Sequence, residues 1–187
     1  MIETQRLLLR PWQPQDQYTL LDLLENNRAR LAIDFPKTLA AVRDSTTAAT
    51  FIEEKMNEWH ARASYQFGIW ETATNQCVGL FSFKNIDWSV PKVELAYLLS
   101  VDAEGRGLML EAAQAGLTWG FDHLSLERVY CNARLANYRS GILAERLGFQ
   151  REGVLRQAFR GGDGQLYDTT IYGLLRTDFM APPAETT

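Results

Sequence analysis

The sequence predicts an α+β fold, a mixed β-sheet with helices on its faces and a βαβ crossover near the middle of the chain. Three observations predict it. Runs at 65–71, 77–86 and 93–100 carry strand composition and are separated by polar turns, as antiparallel neighbours require. The run at 93–100 is apolar on both faces, with Val93, Leu95, Tyr97 and Leu99 on one and Ala96 and Leu98 on the other. A strand of that kind is central and covered on both sides. It is followed by Glu104-Gly105-Arg106-Gly107, a long apolar helix and a short strand at 128–133, the order of a right-handed crossover.

The elements follow in order. A strand at 6–10 is closed by Pro11, and a helix starting near Pro14 carries Leu20, Leu21, Leu23 and Leu24 as its apolar stripe. Asn26-Asn27 stops it. Residues 28–44 have no clean period and are broken by Pro36, so they read as loop with short helical turns. From 46 to 61, Phe51, Ile52, Met56 and Trp59 recur at helical spacing with Glu53, Glu54, Lys55 and Glu58 between them. The helix after Gly107 keeps its polar positions Glu111, Gln114, Thr118 and Asp122 in one narrow stripe, so most of it is buried against a sheet. A further helix spans 137–147, with Gly148 where a left-handed cap is wanted. Strands at 149–160 and 165–175 are joined by Gly161-Gly162-Asp163-Gly164. With no linker and no internal repeat, 1–179 reads as a single domain, and 180–187, with its Pro-Pro and Thr-Thr, as a flexible tail.

Composition removes several function classes. A chain of 187 residues with 46% hydrophobic and 22% charged residues buries a core and is not disordered or collagen-like. A formal charge of −4 disfavours a protein that coats nucleic acid. Two cysteines, Cys77 and Cys131, and two distant histidines, His60 and His123, provide neither a disulfide framework nor a metal cluster, so no metal is expected. The N-terminus lacks a signal-peptide pattern, and no apolar run approaches the ~18 residues of a membrane span. The expectation is a cytoplasmic protein, monomer or homodimer, with no membrane or direct nucleic-acid partner.

The chemistry is concentrated at 93–122. A helix N-terminus after a strand offers unpaired N–H groups and a partial positive charge. Gly105 and Gly107 let a bulky anion approach the backbone, and Arg106 adds a cation. A Walker P-loop would need Gly-x4-Gly-Lys-Ser/Thr, which is absent. A dinucleotide fingerprint would need Gly where Leu110 stands, and an acid near the end of the next strand, where Glu127 stands at its start. The third reading is coenzyme A, with pyrophosphate on the turn and the pantetheine arm between two parallel strands that splay apart.

Six segments in the right order then carry a resemblance. Residues 4–12, Thr-Gln-Arg-Leu-Leu-Leu-Arg-Pro-Trp, are similar to the opening strand of the GNAT superfamily of acetyl-CoA-dependent N-acetyltransferases. Within it they are most similar to the ribosomal-protein N-terminal acetyltransferases of the RimJ/RimL type. The segment 93–99 resembles the family's fourth strand, and Gly105-Arg106-Gly107 with Glu111-Ala112 its acetyl-CoA turn and helix. Asn137-Tyr138-Arg139-Ser140 resembles its Asn-x-x-Ser helix entry. Leu147-Gly148-Phe149 with 152–156, and then 168–175, resemble the closing strands. The resemblance implies a GNAT-type acyl-CoA N-acyltransferase fold with helices on both sheet faces and a central acetyl-CoA-binding βαβ unit. It implies acetyl-CoA as co-substrate, held by Leu99, Val101, Gly105, Arg106, Gly107, Leu108, Met109, Leu110, Asn132 and Asn137. Ser140 would hydrogen-bond or protonate the departing thiolate, and a backbone N–H near Leu98–Leu99, where the strand bulges, would hold the oxyanion.

Three residues depart from the family pattern. Glu104 stands where Gln or Arg is usual and brings an anion to the pyrophosphate; Met109 stands where a small residue is usual. Both lower the expected coenzyme affinity. Phe159 occupies the position of a base used by some relatives, which makes Glu94, with its apolar sequence neighbours, the candidate base, ahead of Asp168. A protein α-amine with a pKa of about 7.7–8.0 is roughly one third neutral near pH 7.5, whereas a lysine is about a thousandth neutral. A weak base therefore suits an N-terminal α-amine. The alternatives are a small amine acceptor, or a non-catalytic acyl-CoA-binding module. Against these stand plainer readings: Gly105 and Gly107 as a tight turn, Ser140 and Asn137 as helix-entry residues, Glu94 as a solvated strand residue, Cys131 as packing, and the seven arginines between 128 and 160 as a solvated face.

Overall fold

The computed structural model of the chain describes residues 1–180. Eight strands form one sheet: β1 (Ile2–Glu3), β2 (Leu7–Pro11), β3 (Tyr65–Glu71), β4 (Gln76–Asp87), β5 (Lys92–Leu99), β6 (Arg128–Arg134), β7 (Gln150–Arg160) and β8 (Leu166–Leu175). Their spatial order is β1-β2-β3-β4-β5-β6-β8-β7, and only β5 and β6 run parallel. The helices are α1 (Gln17–Glu25), α2 (Arg28–Leu31), α3 (Pro36–Ala41), α4 (Ser45–His60), α5 (Leu108–His123), α6 (Tyr138–Arg146) and α7 (Arg176–Met180).

Two apolar clusters hold the layers together. On one face α5 buries Leu108, Met109, Ala112, Ala113, Leu117 and Phe121 against Phe81, Phe83, Val93 and Leu95. The exposed stripe of α5 is the expected one, Gln114, Thr118 and Asp122 facing water with Glu111 half-buried. On the opposite face α1, α3 and α4 bury Leu20, Leu24, Leu39, Phe51 and Ile52 against Trp12, Trp70, Leu80 and Leu98. Alternation along β5 thus sends Leu95 to one cluster and Leu98 to the other, which is why both faces of that strand read as apolar. Asp44 caps α4, its carboxylate accepting from the Thr47 N–H at 2.8 Å.

The structure differs from the sequence reading at three places. β1 and α7 have too few residues to carry a periodic signal. The irregularity in the β4–β5 pairing lies between Lys84 and Asp87; at Leu98 and Leu99 the register with Leu80 and Gly79 is continuous, so the bulge expected there is absent. Of the tail expected at 180–187, Met180 ends α7, and the rest lies outside the described residues.

Candidate active site

β5 and β6 pair over three positions only, Lys92 with Arg128, Val93 with Val129 and Glu94 with Tyr130. β5 then runs on to Leu99 and β6 to Arg134, so the strands part into a V whose closed end is the Glu94–Tyr130 pair. Backbone groups of 95–99 that face β6 have no strand partner there. One side-chain pair crosses the V. The Tyr97 hydroxyl, on β5, lies 2.7 Å from Ser140 Oγ and donates to the Ser140 carbonyl at 3.3 Å, on α6. Burial pushes the Tyr97 hydroxyl well above the usual phenol range, so it stays protonated at neutral pH. Asn137 caps α6 by accepting from the Ser140 N–H at 3.3 Å, which fixes the first turn and with it the Ser140 side chain. The sequence does not single out Tyr97, because in so apolar a strand an aromatic residue reads as packing; its signal is a lone hydroxyl between Lys92 and Leu99.

At the open end of the V lies the turn into α5. Gly105 and Gly107 have φ values of 73° and 75°, the left-handed region that glycine enters without strain. A Cβ on Gly105 would meet no heavy atom within 4 Å, so the space before the turn is open. The first intrahelical bond runs from the Glu111 N–H to the Gly107 carbonyl at 3.2 Å, leaving the N–H groups of Leu108, Met109 and Leu110 at the free end. This cradle fits a phosphate. The side chains do not supply it: Leu108 and Met109 are packed in the core, which corrects the expectation that Met109 crowds the ligand. Arg106 is not a free cation either, because its guanidinium is ion-paired to Glu71. That pairing holds the Glu71 carboxyl below its usual range.

The other expected site residues are distributed around the V. Leu99 and Val101 are already engaged, the Leu99 carbonyl by the Arg30 guanidinium and the Val101 N–H by Asn27 Oδ1 at 2.9 Å. Asn132 is exposed, between the buried Cys131 and Ala133, on the face opposite α5. Glu94 does not sit among apolar groups. Asn85 Nδ2 donates to one of its oxygens at 2.6 Å and Lys84 Nζ lies 3.3 Å from the other. Asp168 accepts from the Gln157 N–H at 2.8 Å. Burial pushes the Cys131 thiol up to about 12, which makes it packing rather than a nucleophile. Among the described residues, three of the seven arginines are ion-paired, Arg128 to Glu152, Arg134 to Asp34 and Arg139 to Glu104.

The sequence profile of the acetyltransferase (GNAT) domain matches residues 6–150. The chain belongs to the GNAT acetyltransferase family. Among curated proteins it is 28% identical over 184 residues to the [ribosomal protein uS5]-alanine N-acetyltransferase of Escherichia coli K12, covering 95% of this chain and 92% of that one. Among solved structures it superposes on the ribosomal-protein-S5-alanine acetyltransferase of Vibrio fischeri with a TM-score of 0.87, at 20% identity, over 96% of this chain and 98% of that one. It superposes on RimL, a ribosomal L7/L12 α-N-protein acetyltransferase in complex with coenzyme A, with a TM-score of 0.84, at 22% identity, over 92% and 95% of the two chains. At these identities the superpositions show the fold alone. The chain is therefore an N-acetyltransferase of the GNAT type.

In this GNAT acetyltransferase a strap closes the face of the V opposite α5. Residues 27–34, which include α2, are tied to both arms. At the β5 end Asn27 takes the Val101 N–H and Arg30 takes the Leu99 carbonyl and Glu104. At the β6 end Asp34 accepts two bonds from the Arg134 guanidinium, one of them 3.1 Å, and the Gly162 N–H donates to the Ile33 carbonyl at 3.2 Å. A Cβ on Gly162 would come within 1.9 Å of the Ala32 carbonyl oxygen, so this contact needs glycine. The Arg134 guanidinium also stacks 4.9 Å from the Tyr167 ring centre, locking the β7–β8 hairpin to the same point. Residue types alone gave no sign of the strap, because its partners are far apart in sequence.

Proposed function

We propose that the protein transfers an acetyl group from acetyl-CoA to the α-amine of a protein or peptide N-terminus in the cytoplasm. The observation that carries this reading is the V itself, with a phosphate cradle at 105–110 on one side and the cross-tied strap 27–34 on the other. The thioester would lie between the arms at Tyr97 and Ser140. The amine would reach it beneath the strap, which favours a slender chain end over a lysine on a folded surface. The names of the similar proteins, two ribosomal-protein S5-alanine acetyltransferases and a ribosomal L7/L12 α-N-protein acetyltransferase, support the same acceptor class.

The residues suit direct attack. The amine nitrogen forms a bond to the carbonyl carbon, the C–S bond breaks, and the coenzyme leaves as a thiolate. Ser140 Oγ would hand its proton to that thiolate as Tyr97 passes its own across their 2.7 Å contact, and solvent would return a proton to Tyr97, which burial keeps protonated at rest. The nitrogen's proton goes to solvent, either directly or through a water on Glu94. Asn85 and Lys84 hold the Glu94 carboxylate in place, so any part it takes would be through that water. An α-amine with a pKa of about 7.7–8.0 loses its proton readily, where a lysine near 10.4 does not. Backbone N–H groups on the open edge of β5 would hold the oxyanion, and co-localisation of amine and thioester would supply much of the acceleration.

The test is a matched panel of acceptors: peptides with a free N-terminus, the same peptides with a blocked N-terminus and one lysine, and free polyamines and amino acids. Coenzyme release and product mass are read together. Free-N-terminus peptides are expected to exceed the lysine peptides in kcat/KM by at least about a hundredfold. Preference for the polyamines or amino acids overturns the acceptor class, and coenzyme binding without transfer to any amine makes the protein a binder.

A further inference from the structure

Four guanidinium groups surround the turn before α5, and three carboxylates answer them. Arg6 pairs with Glu111 at 2.7 Å and Arg106 with Glu71, each one to one. Arg30 of the strap and Arg139 of α6 share a single partner, Glu104, Arg30 at 2.8 Å on one oxygen and Arg139 on the other. One carboxylate at the mouth of the V therefore answers two guanidiniums that come from opposite sides of it. Arg139 is otherwise in water, with 82% of its side chain exposed. Glu104 is the residue immediately before Gly105, next to the N–H groups at the free end of α5.

We propose that Glu104 is an internal stand-in for a phosphate of the coenzyme. It gathers Arg30 and Arg139 at the mouth of the V, and both guanidiniums pass to the pyrophosphate when the coenzyme binds. Glu104 gives one oxygen to each guanidinium, and a phosphate, with two or more anionic oxygens on one centre, can accept from both arginines in the same way. The exchange does not preserve energy, because the displaced Glu104 carboxylate is left close to a second anion. The unusual acid at this position then sets how tightly the coenzyme is held. Since Arg30 also grips the Leu99 carbonyl, the same exchange loosens the strap at its β5 end. This inference rests on the coenzyme lying at 105–110.

The experiment is calorimetry of coenzyme A on the full chain and on Glu104→Gln, Arg139→Ala, their double variant and Gly107→Asp. Pantetheine, which has no phosphate, is measured by competition. Glu104→Gln is expected to bind coenzyme A about tenfold more tightly, a change of about 1.4 kcal/mol. Pantetheine affinity should not change. Arg139→Ala should weaken coenzyme binding more in the Glu104→Gln background than in the parent, since only there is the arginine's whole interaction given to phosphate. A purely structural role for Glu104 would shift both ligands together, which overturns the proposal, as does unchanged or weaker coenzyme binding by Glu104→Gln. If the parent does not bind coenzyme A, or if Gly107→Asp binds it as well as the parent, the coenzyme placement fails and the stand-in role fails with it. If Glu104→Gln does not fold, additive effects of Arg30→Ala and Arg139→Ala in the parent sink the proposal, because two arginines sharing one anion must be coupled.

Discussion

β5 meets its two neighbours in opposite ways. Along β4 its register is unbroken from Leu99 with Gly79 to Glu94 with Lys84. Along β6 it keeps three pairs and then diverges. The first edge satisfies its backbone groups with another strand and contributes cohesion. The second leaves polar groups of 95–99 without a ladder, which a folded protein sustains only where other partners stand in. Here Arg30 of the strap takes the Leu99 carbonyl, Asn27 takes the Val101 N–H just past the strand, and the Tyr97–Ser140 pair bridges the opening at side-chain level. The comparison teaches that the site is made by interrupting a sheet, and that the residues filling the interruption are the ones to test.

The largest effect should come from the open side. Gly107→Asp is expected to abolish coenzyme binding, a loss beyond about a thousandfold, because it forces a side chain into a left-handed backbone and sets an anion on the cradle. Unchanged affinity by calorimetry would remove the coenzyme from the open edge and break the comparison outright. Next comes the packed side. Met109 is buried among core residues, so Met109→Ala should lower unfolding free energy by about 2–3 kcal/mol in urea titrations. Coenzyme affinity of the folded protein should stay within about twofold of the parent. A marked change in affinity would show that the packed and open sides are not separable at the start of α5.

Ser140→Ala should lower kcat and kcat/KM together by about tenfold, with the KM for acetyl-CoA unchanged. The effect is modest for an acid catalyst because a thiolate is already a fair leaving group. Tyr97→Phe should match it if the two hydroxyls act as one relay; a rise in KM alone would reduce Ser140 to a capping residue. The smallest effect concerns Glu111, which anchors β2 to α5. Burial raises its carboxyl, but the Thr4 hydroxyl, the Arg6 N–H and the Arg6 guanidinium outweigh that and hold it below its usual range. A depressed carboxyl stabilises the fold above its unfolded pKa of about 4.3, and that stability is lost as pH falls through the lower folded value. The stability gap between parent and Glu111→Gln should therefore be full at pH 6 and close on acidification. A gap that persists with the carboxyl protonated would assign the contribution to shape rather than charge.

Much of the fold was legible because its signals are local. Leu20 to Leu24, the polar stripe from Glu111 to Asp122 and the apolar run after Pro91 each declare an element within a few residues. The turn glycines and the Asn137 cap were legible for the same reason, since a positive φ or a free N–H demands a particular residue at one position. What misled was the extension of local evidence to a distant consequence. Apolar neighbours along the chain implied an apolar setting for Glu94, yet the next strand delivers Lys84 and Asn85 to it.

The sequence by itself determined the longer strands and helices, the glycine turn before α5 and the family. These depend on period, on backbone conformation and on capping, all written in short stretches. Only the tertiary structure decided which polar groups meet in the cleft. Tyr97 and Ser140 are 43 residues apart, and Asp34 and Arg134 are 100 apart. Glu104 finds Arg30 and Arg139 at separations of 74 and 35 residues. Any arginine can pair with any carboxylate, so the choice carries no pattern along the chain. It is made by the sheet, which stops pairing after Glu94 and brings α2 and α6 to either side of the gap.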